Sequence, residues 1–375
     1  MSKHGRYEQR KPARKKRIGR IVLILLAVLL LGGAAGGIFW YNSTLNLINR
    51  AEVKENIDAS VDPALLGNME ETETSTPETQ ETTQAPEETT AAPTTEHVAS
   101  PEDILNVLVV GQSFREGEES RLADTMILVS VNKYTKEVTL TSFLRDAYVD
   151  MPDYKGKTCG WNRINLVYHL GWTWGDTGGA MEMMNMCLKD NFGIEVDYNI
   201  EVDFEAFTKV IDVLGGVRIT LTEAEAAYIN KDPGNWQEVT EGENRLFGDA
   251  ALSYARMRKA AGDGDSDIKR TARQRTLITA LLEKLRYRGA DGLMDLAKEI
   301  LPLITTNMTN GEITKCLLEV LPILPDMTIS TGTCPVETSY WGELIEIGGY
   351  PASVLKFYPD QQKKLMMPIT EGITP

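Results

Sequence analysis

Arginine spacing is where this chain first suggests chemistry. Between Tyr254 and Gln274 stand Arg256 and Arg258, a short Gly/Asp-rich loop, and then Arg270, Arg273 and Gln274. A guanidinium holds phosphate oxygens in a bidentate fork and does not lose its charge by deprotonation. Arginines two apart in an extended segment point the same way, as do those three or four apart on a helix. A phosphate-bearing ligand is what such a set would serve; the competing interpretation is an arginine-rich, solvated helix end. The whole chain carries a net charge of −15, so this positive charge stands against an acidic background.

A carboxylate accompanies the arginines. Asp124 lies just before the apolar run from Thr125 to Val131, after a polar loop carrying Arg115 and Arg121. A carboxylate at a strand mouth beside phosphate-binding arginines suits Mg²⁺ (or Mn²⁺), which commonly takes one or two carboxylates plus substrate phosphates. Arg145 and Asp146 follow a third predicted strand, where a local ion pair stabilising a turn is the plain alternative. Zinc is discounted: Cys159, Cys187, Cys316 and Cys334 lack the close spacing of a zinc site, and His97 and His169 are the only histidines after residue 41. In an oxidising exterior the four cysteines could form two disulfides in any of three connectivities.

The elements that must hold these groups alternate. Short apolar runs predict strands at residues 104–111, 125–131, 138–143, 198–202 and 217–221. Residues 180–191 read as a Met-rich helix. Phe204 to Leu214 has apolar residues at helical spacing and stops at Gly215-Gly216, as a helix C-terminus should. Asp267 can cap a helix reaching about Arg288, with Ile278, Leu281, Leu282 and Leu285 as its apolar stripe. Gln274 lies on that stripe, Arg270 at its flank, and Arg273 further round. Together these predict an α/β fold, a mixed central β-sheet flanked by helices.

Location follows from the N-terminus. Residues 1–20 hold nine Lys/Arg and one acid, and residues 21–41 carry no charge and end in Trp40-Tyr41. At ~1.5 Å per residue such a helix covers about 30 Å, enough to cross a bilayer core. The basic flank belongs in the cytoplasm, which puts the C-terminal domain outside the cell membrane. A cleaved signal peptide competes, but the apolar run continues to Tyr41 without a clear Ala-x-Ala site, which favours a retained single-pass anchor. Residues 70–96 contain eight Glu and no Lys or Arg, amid Thr, Pro, Ser and Gln, and predict a disordered stalk. The expected organisation is a cytoplasmic tail (1–20), a transmembrane helix (21–41), a stalk (42–102), a catalytic domain (103–288) and a C-terminal extension (289–375). The acidic body argues against nucleic-acid binding.

The motifs, in order, carry a resemblance. Asn106 to Gly111, Arg121-Leu-Ala-Asp124-Thr125-Met126, Ser142-Phe-Leu-Arg145-Asp146, Asn162-Arg163-Ile164-Asn165, and Asp197-Tyr198 through Phe204 to Val217 come first. Tyr254-Ala-Arg256-Met-Arg258 through Asp267, Arg270, Arg273 and Gln274 complete the set. The ordered set, over about residues 103–285, resembles the LytR-CpsA-Psr family. The resemblance implies a phosphotransferase that moves a glycopolymer (a teichoic acid, capsular or other wall polysaccharide) from a polyprenyl-pyrophosphate carrier to peptidoglycan. It implies Asp124 as the metal ligand and Arg115, Arg121, Arg145, Asp146, Arg256, Arg258, Arg270, Arg273 and Gln274 around the pyrophosphate. It also implies an apolar tunnel for the lipid, for which the Phe204–Leu214 helix and Met181, Met183, Met184 and Met186 are candidates. Two alternatives are a non-catalytic polyprenyl-pyrophosphate binder or sensor, and a hydrolase with water as acceptor. The chain departs from the family pattern at Ser113, where a second metal carboxylate is usual, and Arg121 stands one residue further than usual from Asp124.

Overall fold

The structure, a computed structural model, describes residues 41–55, 60–61, 65–68, 101–112, 121–258, 267–286 and 296–370. Residues 21–40 of the expected span, with Ser113 and Arg115, lie outside the described residues. Among the described residues no helix is long and apolar enough to cross a membrane. The chain divides into two compact units, Met1–Leu47 and Ile48–Pro375, and the elements of interest belong to the second.

Seven strands form the central sheet: β1 (Asn49–Arg50), β2 (Ile104–Gln112), β3 (Ala123–Asn132), β4 (Glu137–Phe143), β7 (Tyr198–Val202), β10 (Thr305–Thr306) and β11 (Thr328–Cys334). Their order is β1-β10-β7-β2-β3-β4-β11. The pairing is mixed: β3 runs antiparallel to both neighbours, whereas β7 is parallel to β2 and β11 parallel to β4. Strands β2, β4 and β7 therefore end at the same edge at which β3 begins. Open α/β sheets bind ligands outside such carboxyl ends.

Helices cover both faces. Helix α1 (Ile164–Phe192) packs a core of Leu108, Val110, Met126, Leu128, Trp174, Met181, Met183 and Met184 on one side. Leu105, Ile127, Val131 and Leu140 face the other side, packed by Ile278 and Leu282 of α5 (Asp267–Arg286) and Val320 of α6 (Asn310–Val320). A second core joins α2 (Phe204–Val213), α3 (Glu223–Lys231) and α4 (Gly248–Arg256) to the antiparallel pair β8 (Val217–Leu221) and β9 (Gly242–Leu246). The expected lipid-tunnel residues are thus split: Met181, Met183 and Met184 fill the main core, while Phe207 and Ile211 of α2 serve the second.

Strand β7 matches its expected bounds, and α2 ends one residue early, through Gly215 and Gly216 at φ of 75° each. Helix α1 is much longer than its expected part. Asp176 interrupts it at φ 59°, ψ −161°, a backbone conformation L-residues rarely adopt. Gly171 and Gly179 make the kink possible, because a Cβ on Gly171 would stand 2.5 Å from the Gly179 carbonyl oxygen. Sequence periodicity is weak across this Gly/Thr/Trp-rich stretch, so only the Met-rich half was legible. Beyond residue 288 the chain supplies β10, β11, the hairpin β12–β13 (Tyr340–Ile347, Tyr350–Phe357) and α7 (Pro359–Thr370). Residues 49–50 pair with β10, and Asn68 bridges Trp161. The four cysteines are free: Cys159, Cys187 and Cys334 are buried in the main core, while Cys316 packs on the opposite face, so the disulfide expectation is not met.

Gly171→Ala should lower stability by about 2 kcal/mol, because the added methyl has no room without backbone movement. A urea or thermal melt reads this directly, and an unshifted midpoint would refute the close approach.

Candidate active site

A β-bulge aims the first functional group. Gly111 pairs with Thr125 but Gln112 pairs with Ala123, so Asp124 is an extra residue without a partner on β2. A bulge bends the strand and redirects a side chain. Ala123 and Met126 both face the α1 core, and Asp124 turns toward the N-terminus of α5.

There it meets three arginines and two further acids. Arg145, just past β4, places Nη1 3.5 Å from Asp124 Oδ1, and Nε 3.6 Å from Asp146 Oδ2 and 3.3 Å from Asp267 Oδ1. Arg270 sets Nη2 2.8 Å from Asp267 Oδ1 and donates to the Asp124 carbonyl oxygen at 3.2 Å. Arg163, the last residue of β6 (Gly160–Arg163), has Nη1 3.6 Å from Asp146 Oδ1. Its β-partner is Tyr148, at the start of β5 (Tyr148–Met151), which brings it back to the loop carrying Arg145 and Asp146.

Proximity here is not tight bonding. The Nε atoms of Arg145, Arg163 and Arg270 and both Asp267 carboxylate oxygens are buried without a well-aligned hydrogen bond, although Arg270 lies at ion-pair distance from Asp267. The Arg145 and Arg163 contacts are long, at 3.3–3.6 Å, so these guanidiniums keep hydrogen-bonding capacity for an oxyanion. Burial raises the Asp267 carboxyl above its ordinary range, opposed by Arg270 and Arg145. Burial likewise lowers the Arg270 guanidinium, opposed by Asp267. Three guanidiniums facing three carboxylates are neutral together, so attraction for an anion must come from elsewhere.

Arg256 and Arg258 supply that charge. They are exposed on either side of the fully buried Met257. Arg258 acts electrostatically on both Asp267 and Arg270, while the Arg256 guanidinium lies 5.0 Å from the Phe204 ring centroid.

The other expected arginines go elsewhere. Arg273 is only 5% exposed, and donates from Nε to Glu225 at 2.8 Å and from Nη1 to the Met257 carbonyl at 3.2 Å. Gln274 donates to the Ala255 carbonyl at 3.4 Å. Both therefore tie α5 to the end of α4 and set where Arg256 and Arg258 stand. Arg121 is drawn toward α1, its guanidinium 4.5 Å from the Trp172 ring and its backbone N–H donating to His169 Nδ1 at 3.2 Å. Near it Glu201 accepts from Gln112 at 2.8 Å and from the Tyr168 hydroxyl.

Arg163 and Asp267 complete the cluster. Both stood inside motifs, yet only the fold shows that they share partners with Arg145. Among the described residues, no group of three or more His, Cys, Asp or Glu is arranged to hold a metal ion. Asp124 itself suits a magnesium ion that draws most of its ligands from phosphate and water: it is a hard oxygen donor, its side chain is 27% exposed, and its ion pair is long.

A model of the LytR_cpsA_psr family matches residues 66–352. The chain belongs to this family. It is 27% identical over 270 residues to the polyisoprenyl-teichoic acid–peptidoglycan teichoic acid transferase TagT of Bacillus subtilis (strain 168), covering 70% of this chain and 74% of that protein. It is 31% identical over 208 residues to the transferase of the same type, TagU, of Oceanobacillus iheyensis, covering 55% of this chain and 58% of TagU, so that match spans little more than half of the relative. Solved structures of TagT share the fold. One bound to LIIa-WTA has a TM-score of 0.56 at 21% identity, covering 73% of this chain and 92% of that one. Another with bound octaprenyl pyrophosphate lipid has a TM-score of 0.51 at 20% identity, covering 73% and 92%.

Two measurements separate anchoring from binding roles. Arg273→Ala leaves Glu225 buried without its counter-charge and should cost about 3 kcal/mol or more of stability. Arg256→Ala should cost less than about 1 kcal/mol; equal losses in denaturant melts would contradict this division. Burial raises the Glu201 pKa above its ordinary value, opposed by the Tyr168 hydrogen bond and by Arg121. A folded-state pKa above the unfolded one gives stability that is fully present below the unfolded value and is lost as pH rises through the folded value. Glu201→Gln, which still accepts a hydrogen bond, should therefore lose less stability than wild type as pH rises from about 4 to 8. Parallel profiles would refute that assignment.

Proposed function

We propose that this protein is a membrane-anchored, extracytoplasmic phosphotransferase. It takes a glycopolymer from a polyprenyl-pyrophosphate carrier and joins it to peptidoglycan as a phosphodiester. The observation that carries this reading is the convergence of Arg145, Arg163 and Arg270 on the strand mouth beside Asp124, with hydrogen-bonding capacity left in the guanidiniums. Family membership and relatives named as teichoic acid transferases support it. So does the basic, uncharged-then-acidic N-terminal pattern, which suits an anchor with the domain outside, where no ATP is supplied and a lipid-linked pyrophosphate is an available activated donor.

Arg256 and Arg258 attract the pyrophosphate, and Arg145, Arg163 and Arg270 offer its oxygens the donors that their carboxylates leave unused. Asp146, lying between Arg145 and Arg163, orients both rather than acting as a base. A hydroxyl of the glycan acceptor attacks the sugar-proximal phosphorus, the bond to the distal phosphate breaks, and lipid monophosphate departs, its freed oxygen taking up the proton that the hydroxyl loses. The guanidiniums, fixed before reaction, neutralise the charge that builds on the phosphoryl oxygens, so they stabilise the transition state without reorganising. Mg²⁺ or Mn²⁺, held by Asp124, would supply further charge neutralisation at the same oxygens.

A second reading is favoured by Ser113, which replaces the usual second carboxylate with a neutral hydroxyl. This is a binder of polyprenyl pyrophosphate that does not turn it over. Transfer from a synthetic lipid-pyrophosphate glycopolymer to a peptidoglycan oligomer decides between the two. Asp124→Ala, Arg145→Ala and Arg256→Ala should each lower the rate by roughly 10²–10³-fold. Wild-type rates in all three would sink the phosphotransferase, and tight lipid binding without turnover at millimolar Mg²⁺ or Mn²⁺ would select the binder.

A further inference from the structure

Arg145 and Asp146 sit at the centre of a tight turn, Leu144 to Ala147, closed by the Ala147 N–H on the Leu144 carbonyl at 2.9 Å. Helix α1 holds the turn from one side. Its first two N–H groups, of Ile164 and Asn165, reach the Ala147 carbonyl at 2.9 Å and the Arg145 carbonyl at 3.4 Å. The remaining bonds come from the segment beyond residue 288. Leu144 N–H donates to the Cys334 carbonyl at the end of β11 at 2.9 Å. Leu355 N–H of β13 donates to the Asp146 carbonyl at 2.8 Å, where Ala147 and Leu355 bridge in parallel. Every carbonyl of the turn is thereby occupied, and the C-terminal hairpin supplies one of the partners.

What sets β13 in place is a buried cation. Lys356, next to Leu355, is only 2% exposed. Residues two apart on a strand share a face, so it projects with the buried Val354 toward Tyr148, the second residue after Asp146. Lys356 Nζ lies 5.5 Å from the Tyr148 ring centroid and 3.7 Å from Glu343 Oε1 on β12. Glu343 also accepts the Trp341 indole N–H at 3.3 Å. Such a lysine gains little stability over an apolar side chain of equal length, because desolvation offsets the attraction. What a buried ion pair can specify is register. A one-residue slip of β13 would turn Lys356 to the face on which Phe357 meets Phe192, and take the Leu355 N–H away from Asp146.

We propose that Lys356 is a positioning residue for phosphotransfer: by fixing β13 against Tyr148 and Asp146, it sets where the Arg145 guanidinium stands. The proposal rests on the phosphotransferase reading for what Arg145 does, and gives the C-terminal hairpin a part in it. Lys356 is too buried to meet a ligand and acts through the turn. A slightly displaced Arg145 leaves the donor bound by the other arginines but no longer matches the phosphoryl oxygens in the transition state. The loss should therefore fall on kcat rather than on KM.

The test uses the full chain in detergent, with the synthetic lipid-pyrophosphate glycopolymer and the peptidoglycan oligomer as substrates. Lys356→Met keeps the side-chain length without the charge, Lys356→Arg keeps the charge, and Glu343→Gln removes the partner's charge. Leu344→Ala, on the same hairpin at 74% exposure, is the control. Lys356→Met should lower kcat about tenfold with KM for the lipid changed less than about twofold. Glu343→Gln should act in the same direction, Lys356→Arg should recover most of the rate, and the control should match wild type. In an Arg145→Ala background, Lys356→Met should cost less than about twofold more, because its effect passes through Arg145. A lysine that merely supports folding would lower the active fraction equally in both backgrounds. Equal losses in both backgrounds, or wild-type kcat in both Lys356→Met and Glu343→Gln, overturn the proposal. Hydrogen exchange reads the same turn without turnover: the Leu144, Ala147 and Leu355 amides should exchange about tenfold faster in Lys356→Met. Unchanged protection there also overturns it. If the wild-type chain transfers nothing, the phosphotransferase reading fails and amide exchange alone decides whether Lys356 positions the turn. Should Lys356→Met fail to fold, Glu343→Gln carries both measurements.

Discussion

Burying the Arg270 guanidinium is the constraint on which the site depends. At 3% exposure it has lost its water, and a buried charge is tolerated only with close counter-charges and hydrogen-bond acceptors. Asp267 at 2.8 Å and the Asp124 carbonyl at 3.2 Å provide them. That arrangement requires the N-terminus of α5 to sit on the mouth of β3, and it brings Arg145 within reach of the same acids. The β-bulge at Asp124 and the buried Arg273–Glu225 pair then become parts of one device. The first aims a carboxylate; the second hangs the α2–α4 lobe, with Arg256 and Arg258, beside it.

The division of the arginines follows from electrostatics. A cluster that is neutral at rest can be kept inside a folded protein at modest cost, but it does not attract an anion over distance. Exposed arginines attract anions, but solvent screens them and leaves them imprecise. Arg145, Arg163 and Arg270 provide the fixed geometry, and Arg256 and Arg258 provide the field.

Much of this was legible in the residues. The alternating apolar runs and the Gly215-Gly216 stop located β7 and α2 closely, because those signals are local. The first half of α1 is not legible as a helix: its buried Ile164, Leu166, Val167, Tyr168, Leu170 and Trp174 are interrupted by the Gly-rich kink at Asp176, which breaks the periodic signal. The disulfide expectation failed because cysteine counting is blind to position, and Cys316 lies on the other face of the sheet from the remaining three. Arg163 and Asp267 were inside recognised motifs, but their sharing of Asp146 and Arg145 depends on contacts between distant segments.

Residue order alone therefore established the α/β alternation, the acidic body with a concentrated arginine set, Asp124 at a strand mouth and the family these motifs compose. Each is a property of neighbours in the chain, of periodicity and of composition. The fold settled which arginines face a ligand and which hold helices together, since Glu225 lies 48 residues from Arg273 and Asp124 lies 146 from Arg270. It also joined the C-terminal hairpin to the turn that carries Arg145. A guanidinium looks the same in sequence whether it clamps phosphate or anchors a helix, and only its partners in space tell the two apart.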